Sequence, residues 1–457
     1  MIDFYIIKII AMNSKIGNIS LTNEKANGYS LTAILVIFIM IMSAGFLSAQ
    51  NEKSAQFKEN YELTEVVVLS RHNIRAPLSG KNSILGKITT HQWTDWTANA
   101  SELTLKGGVL ETMMGQYFRK WLEDEGLFQD GNCPSTDEVN IYANSMQRTI
   151  ATAEYFQAGF LPTCNQNFYH RFSSSKMDPL FFPRFTKVSE AFKQQAMKEI
   201  NAMGGRKGIV GINESLKPSY TIIEKITDMK NSPAGKEDSK YSSFDDYNTQ
   251  LIFNLGEEPN LAGSLKTANT IADALILQYF EVADDKEAAF GHDLSTKDWE
   301  NISRVKDVYG DMLFSAPIVA VNVAHPLLMY MKDELQSKQR KFTFLVGHDS
   351  NIASILSALE VEEYSLPNTI EKKTPIGSKL VFEKWQDKQT KEEFISINLI
   401  YQTTDQLRHL ELLTLSNPPA CYPLKFSGLS ANEFGLYKFN DVVERFDQAI
   451  LAYDDIK

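Results

Sequence analysis

Cysteine is scarce, with three residues in 457. Cys133, Cys164 and Cys421 fit no zinc-ligand spacing, which excludes a structural zinc site of the usual kind. An excess of positive charge is also lacking: 46 lysines and arginines stand against 57 aspartates and glutamates, a net charge of -11. That balance excludes nucleic acid as a partner and means that an anionic substrate must be drawn in by a local arginine cluster. Beyond the first 50 residues no run is apolar enough to span a bilayer, and there is no internal repeat. With 43% hydrophobic and 23% charged residues the chain has the makings of a folded globular protein. Its length points to two domains, or one large domain with an inserted lobe.

The one apolar run, Leu31 to about Leu47, follows Lys25 and ends in Leu47-Ser48-Ala49 before Gln50. A basic flank, an apolar segment of roughly 15 residues and a small residue at its end describe a secretory signal covering residues 1–49, with cleavage after Ala49. A retained anchor is the alternative, although no stable membrane anchor is expected. Either reading predicts export. In an oxidising compartment Cys133 and Cys164, which flank one strand-helix unit, could pair and leave Cys421 over.

Strand and helix patterns alternate along the chain. Residues 50–60 are expected to fray, and 65–70 to form the first strand. Residues 78–103 read as a long loop carrying Trp93 and Trp96, which either form part of a lid or pin the loop to the core. Apolar residues from Val109 to Leu122 recur at helical spacing, and Gly126 stops that helix. Val139–Tyr142 reads as a strand and Gln147–Phe160 as a helix. Residues 185–310 read as a helical lobe inserted between 60–184 and 311–457. A helix is predicted over Val319–Leu335, broken or kinked at Pro326. Further strands are predicted at Phe342–Val346, Lys379–Phe382 and Ile395–Tyr401, with a helix over 351–359. The expected class is α/β, a mostly parallel sheet with helices on both faces plus a smaller helical domain.

Two motifs carry the chemistry. Arg71-His72-Asn73-Ile74-Arg75-Ala76-Pro77 follows the apolar run Val66–Leu69, and Gly347-His348-Asp349-Ser350-Asn351 follows the strand at 342–346. Open α/β sheets bind ligands outside such strand ends, where helix N-termini favour anions. Arg71 and Arg75 can grip one phosphate through charge-assisted hydrogen bonds. Between them, His72 is placed to attack phosphorus, kept neutral by the nearby cations. Asp349 is the candidate acid for the leaving oxygen and the later base for water. His348 would add a hydrogen bond to the phosphate, and Arg148, after another strand, a third anchor. A lone His-Asp pair is usually structural; several motifs at the ends of strands of one sheet are a stronger signal.

These segments resemble the histidine acid phosphatases, whose signature is Arg-His-Gly-x-Arg-x-Pro with a distant His-Asp. Asn73 stands where that signature has Gly, which resembles the bacterial periplasmic glucose-1-phosphatase branch. Leu103–Glu111, Tyr142–Thr149, Met177–Pro179, Val346–Ser354 and Thr374–Gly377 match that branch in order and spacing. The resemblance runs from about Glu65 to about Arg408. It implies His72 as nucleophile, Asp349 as proton donor, and Arg71, Arg75, Arg148 and His348 on phosphate, with no metal or other cofactor. It places Glu258, before Pro259, in the pocket, where a carboxylate could accept hydrogen bonds from sugar hydroxyls and repel a substrate crowded with phosphates. Asn73 is carried as a substrate-binding candidate that narrows the pocket or bonds the substrate. Cys133 and Cys164 match a paired position. Relatives' cysteines in the lobe are replaced here by Ala234 and Ser239, so residues 229–243 are expected to be looser, and the tail after about Ala420 matches poorly.

The expected function is periplasmic hydrolysis of sugar phosphates, glucose 1-phosphate first, through a phosphohistidine. A phytase-like activity on inositol polyphosphates is the rival within the class; a non-catalytic exported binder of sugar phosphates is the rival outside it. The partner is a small phosphomonoester, and a homodimer stays open.

Overall fold

A computed structural model of the chain describes residues 55–80, 83–171, 177–245 and 248–456. The expected signal segment lies outside them. Residues 55–60, expected to fray, are helical. Tyr61–Lys457 forms one compact unit.

Its centre is a seven-stranded mixed sheet. β1 (Tyr61–Arg71), β2 (Val139–Ala143) and β5 (Phe342–Gly347) form its parallel half, in the order β2-β5-β1. β6 (Lys379–Asp387) and β7 (Glu393–Tyr401) continue the sheet antiparallel, and two short strands, β8 (Ala420–Pro423) and β9 (Tyr437–Lys438), pair with β7. The parallel strands read as unbroken apolar runs because both faces are covered. Val66, Val67, Val68 and Leu69 are all fully buried, as are Phe342, Phe344, Leu345 and Val346.

Helices α1 (Leu105–Asp124) and α2 (Gln147–Phe160) pack on one another beside the sheet. Residues 190–310 are mainly helical, with α3 (Glu190–Met203), α4 (Lys217–Ile226), α5 (Ser264–Glu281), α6 (Thr296–Gly310) and a small hairpin of β3 (Thr249–Ile252) and β4 (Asn260–Gly263). The chain returns through α7 (Pro317–Leu335) and α8 (Asp349–Ala358) and ends in α9 (Phe439–Asp454). One apolar cluster fills the space among the helices of 190–310 and a second lies against the sheet. Residues 229–243, expected to be loose, are short capped turns in which Met229 and Ala234 are buried.

The expected break at Pro326 is absent: α7 runs through it. A proline inside a helix costs about 3 kcal/mol. Packing of α7 against α8 and α9, with Val323, Ala324, Leu327 and Leu328 buried, offsets that cost. The chain bends instead at Ala316, where α6 and its π-helical extension Asp311–Ser315 meet α7 at 76°. Among the described residues no single helix is long and apolar enough to cross a membrane.

The long loop is anchored. Trp93 donates its indole N–H to the Leu85 carbonyl at 2.8 Å and meets Phe290 edge-on. Trp93 and Trp96 both pack on the helical core, and neither lines the cavity at the strand ends, which favours the pin over the lid. Cys133 and Cys164 form a disulfide, and Cys421 is free.

Candidate active site

The parallel register sets the site. Arg71 lies beside Gly347, so the next residues, His72 and His348, leave adjacent strands side by side. Their rings sit 5.5 Å apart, edge to face. Asp349 opens α8 in its first turn, where the helix N-terminus favours a carboxylate. Arg148 opens α2 just after β2. These side chains and Arg71, Arg75 and Glu258 line one cavity of about 1240 Å³.

His72 has a defined tautomer. Its Nδ1 lies 2.9 Å from the Asn73 carbonyl, which can only accept, so Nδ1 carries the hydrogen and Nε2 keeps its lone pair. Burial, then the charges of Arg148 and Arg75, holds the imidazole pKa well below its ordinary value. The ring is therefore neutral and nucleophilic. His348 is held by Asn144, whose Nδ2 lies 2.7 Å from Nε2. The amide orientation is fixed because Asn144 Oδ1 accepts the Ser145 and Asp178 backbone N–H groups at 2.7 and 2.9 Å. His348 Nε2 is thus an acceptor, and the ring hydrogen is on Nδ1.

The three arginines are buried and held by different partners. Arg71 donates to Glu371 at 2.9 Å and lies 3.3 Å from Asp349. Arg75 pairs with Asp273 at 3.0 Å. Arg148 donates to the Ser101 hydroxyl at 2.8 Å, and Ser101 itself sits at φ 74, a strained conformation for a residue other than glycine. Burial and the neighbouring Arg75 push Arg148 down to about 10, which leaves it cationic at neutral pH. Each guanidinium keeps a buried Nε–H without a protein partner. A phosphate has oxygens enough for all three, and leaving such donors unpaired costs about 1–3 kcal/mol each.

Asp349 is half open to the cavity, with 45% of its side chain exposed. Burial raises its pKa, but Arg71 and then Lys306 outweigh that and hold it below the ordinary carboxylate value. Glu258 is raised instead, chiefly by burial, with Arg148 opposing.

One expected contact is absent. The Asn73 side chain is fully buried and does not line the cavity. It donates to Glu111 at 2.9 Å and accepts from the Ile74 backbone, so it turns under the strand end, away from the cavity. The motif reading also missed the groups behind the arginines. Lys306 on α6 bridges Asp273 at 3.0 Å and Glu371 at 3.2 Å, which links the pairs of Arg75 and Arg71 into one alternating chain of charge. Lone Asp and Lys residues on amphipathic helices give no sequence signal for this. Asn144 and Asp178 did lie in matched segments.

A strand-end histidine among arginines, facing a His-Asp pair on an α/β sheet, defines the class: a phosphoric monoester hydrolase. The chain belongs to the histidine phosphatase superfamily, branch 2, whose model matches residues 62–402. It is 40% identical over 420 residues to a glucose-1-phosphatase of Salmonella typhimurium, covering 91% of this chain and 98% of that protein. It is also 40% identical over 384 residues to a glucose-1-phosphatase of Providencia rettgeri, covering 83% of this chain and 90% of that one. Among solved structures, the apo form of Hafnia alvei phytase matches with a TM-score of 0.78 at 27% identity, over 86% of this chain and 97% of that one.

Proposed function

We propose that the protein hydrolyses sugar phosphates, glucose 1-phosphate foremost, in two steps through a phosphohistidine on His72. The observation that carries this reading is the His72 tautomer: Nδ1–H is committed to the Asn73 carbonyl, which leaves Nε2 as the nucleophile among three arginines. In the first step Nε2 bonds to phosphorus, the ester P–O bond breaks, and the departing sugar oxygen takes a proton from Asp349. Arg71, Arg75, Arg148 and His348 bind the phosphoryl oxygens and balance their charge in transfer. In the second step the Asp349 carboxylate takes a proton from water, water oxygen bonds to phosphorus, and the P–N bond breaks.

Asp349 is ionised in the free enzyme at neutral pH because Arg71 and Lys306 depress its pKa. A phosphate anion bound at the arginines offsets those charges and raises Asp349 toward protonation. The substrate thus helps to arm its own acid, and lower pH favours the step.

The preference for a sugar monophosphate rests on the outer cavity. Glu258, Asp307, Asp311 and Glu363 line it beside Lys266 and Lys373. Carboxylates accept hydrogen bonds from hydroxyls and repel further phosphates. The 40% identity to glucose-1-phosphatases supports the same choice. Export to the periplasm is supported by the apolar run at 31–47 and by the disulfide. The domain division stays as 60–184 with 311–457 around a cap of 185–310.

A base-stable, acid-labile label decides between the readings. Rapid mixing with radiolabelled glucose 1-phosphate and quenching in base is expected to leave phosphate on His72. Absence of label with intact binding would favour a sugar-phosphate binder. A higher kcat/KM for inositol hexakisphosphate than for glucose 1-phosphate would make the protein a phytase.

A further inference from the structure

Asn73 occupies a place where the signature of the family has glycine, and the structure leaves it no part in substrate contact. Its surroundings form a closed circuit around the nucleophile. The His72 Nδ1–H donates to the Asn73 carbonyl at 2.9 Å. The Asn73 side chain donates to Glu111 at 2.9 Å. Glu111 pairs at 2.8 Å with Lys379, and both side chains are completely buried. Lys379 donates to the Gly377 carbonyl at 2.8 Å. Gly377 returns its backbone N–H to the His72 carbonyl at 3.2 Å.

The circuit leaves little free space. Gly377 has φ +69, and a Cβ there would lie 2.7 Å from Asn73 Nδ2. A Cβ on Gly107 would lie 2.3 Å from the Ile74 carbonyl, so α1, which carries Glu111, is pressed directly on the strand end. An ion pair with no solvent contact is a costly element to keep for stability alone, since an apolar pair of equal volume often serves as well.

We infer that Asn73, Glu111 and Lys379 are positioning residues that fix the tautomer and orientation of the His72 imidazole. The buried ion pair orients the Asn73 amide, the amide oxygen locks the Asn73–Ile74 peptide by accepting its N–H, and the carbonyl of that peptide holds the His72 Nδ1–H. This rests on His72 as the nucleophile and adds what keeps it aimed. Reactions between aligned groups lose about 10²-fold for a misplacement of 1 Å, so a partial loosening should cost less than that.

The test compares Asn73→Gly and Asn73→Ala with the wild type. Glycine is the residue of the family signature at this place, and alanine keeps the backbone freedom of an ordinary residue. Single-turnover phosphorylation of His72 by p-nitrophenyl phosphate is expected to slow about tenfold in both. Inhibition by inorganic phosphate should change less than twofold, because the arginines are untouched. Nitrogen-15 NMR of labelled histidine should show His72 moving from the fixed Nδ1–H tautomer to an averaged one. The brace is overturned if both variants keep the wild-type phosphorylation rate and tautomer. It is equally overturned if rate and phosphate affinity fall together, which marks general damage. The tautomer measurement stands even if wild-type enzyme never carries label on His72, so failure of the phosphohistidine reading is a separate result.

Discussion

The two walls of the active-site cavity are built differently. The sheet wall holds Arg71, His72, Arg75, Arg148 and His348, all nearly excluded from solvent and most tied by named hydrogen bonds. The helical wall presents Glu258, Asp307 and Asp311, which are only partly buried, and Lys266, which is exposed. The groups proposed to meet phosphorus in one geometry sit at or just beyond strand ends fixed by register. The groups proposed to choose among leaving groups sit where side chains can change without disturbing the sheet. The same sheet can therefore serve several substrates if the helical wall alone is altered.

The largest break expected is in the sheet wall. His72→Ala removes the proposed nucleophile, and kcat should fall at least about 10⁴-fold with KM for substrate little changed. Steady-state assays with an active-site titration check this; a loss below tenfold would break the division of labour between the walls.

Asp349→Asn comes next. It should slow glucose 1-phosphate about 10²–10³-fold and p-nitrophenyl phosphate far less, because only the poor leaving group needs a proton. The pH dependence follows from the same residue. Its depressed pKa means that the donor form is gained as pH falls, while His72, lowered further from its own value, stays neutral. The wild-type rate on glucose 1-phosphate should rise from pH 8 toward pH 5, and the rise should vanish in Asp349→Asn. For folding the sign is opposite: the depressed carboxyl stabilises the native state above about pH 3.9 and that contribution fades as pH falls through the folded value.

On the helical wall the expected effect is smaller. Glu258→Gln should raise kcat/KM for inositol hexakisphosphate relative to glucose 1-phosphate by about tenfold, the size of one unfavourable charge contact of roughly 1.4 kcal/mol. An unchanged ratio would remove Glu258 from substrate choice. Smallest of all for activity is Cys133→Ser. It opens a disulfide 31 residues long in sequence, and neither cysteine lines the cavity. Stability should drop by about 2–4 kcal/mol in denaturant melts, with kcat unchanged.

Much of the sheet wall was legible before any coordinates. Val66–Leu69 and Phe342–Val346 are apolar runs that only a strand covered on both faces explains, and each delivers a motif at its end. α2 was predicted over the residues that form it, because its apolar spacing is local information. At Pro326 a local rule about proline allowed a break, and it does not include the burial that lets α7 continue through that residue.

The sequence by itself determined which residues are chemically competent: the histidines, arginines and aspartate of two motifs, and the strands that carry them. Their identities and neighbours along the chain suffice for that. Tertiary structure alone decided that Asn73 faces Glu111 and not the cavity, and that Asp273, Lys306 and Glu371 stand behind the arginines. The reason is physical. Strand and helix periodicities report which face a residue takes, but the partner of a buried charge comes from a segment tens or hundreds of residues away, and its identity is fixed only when the chain closes.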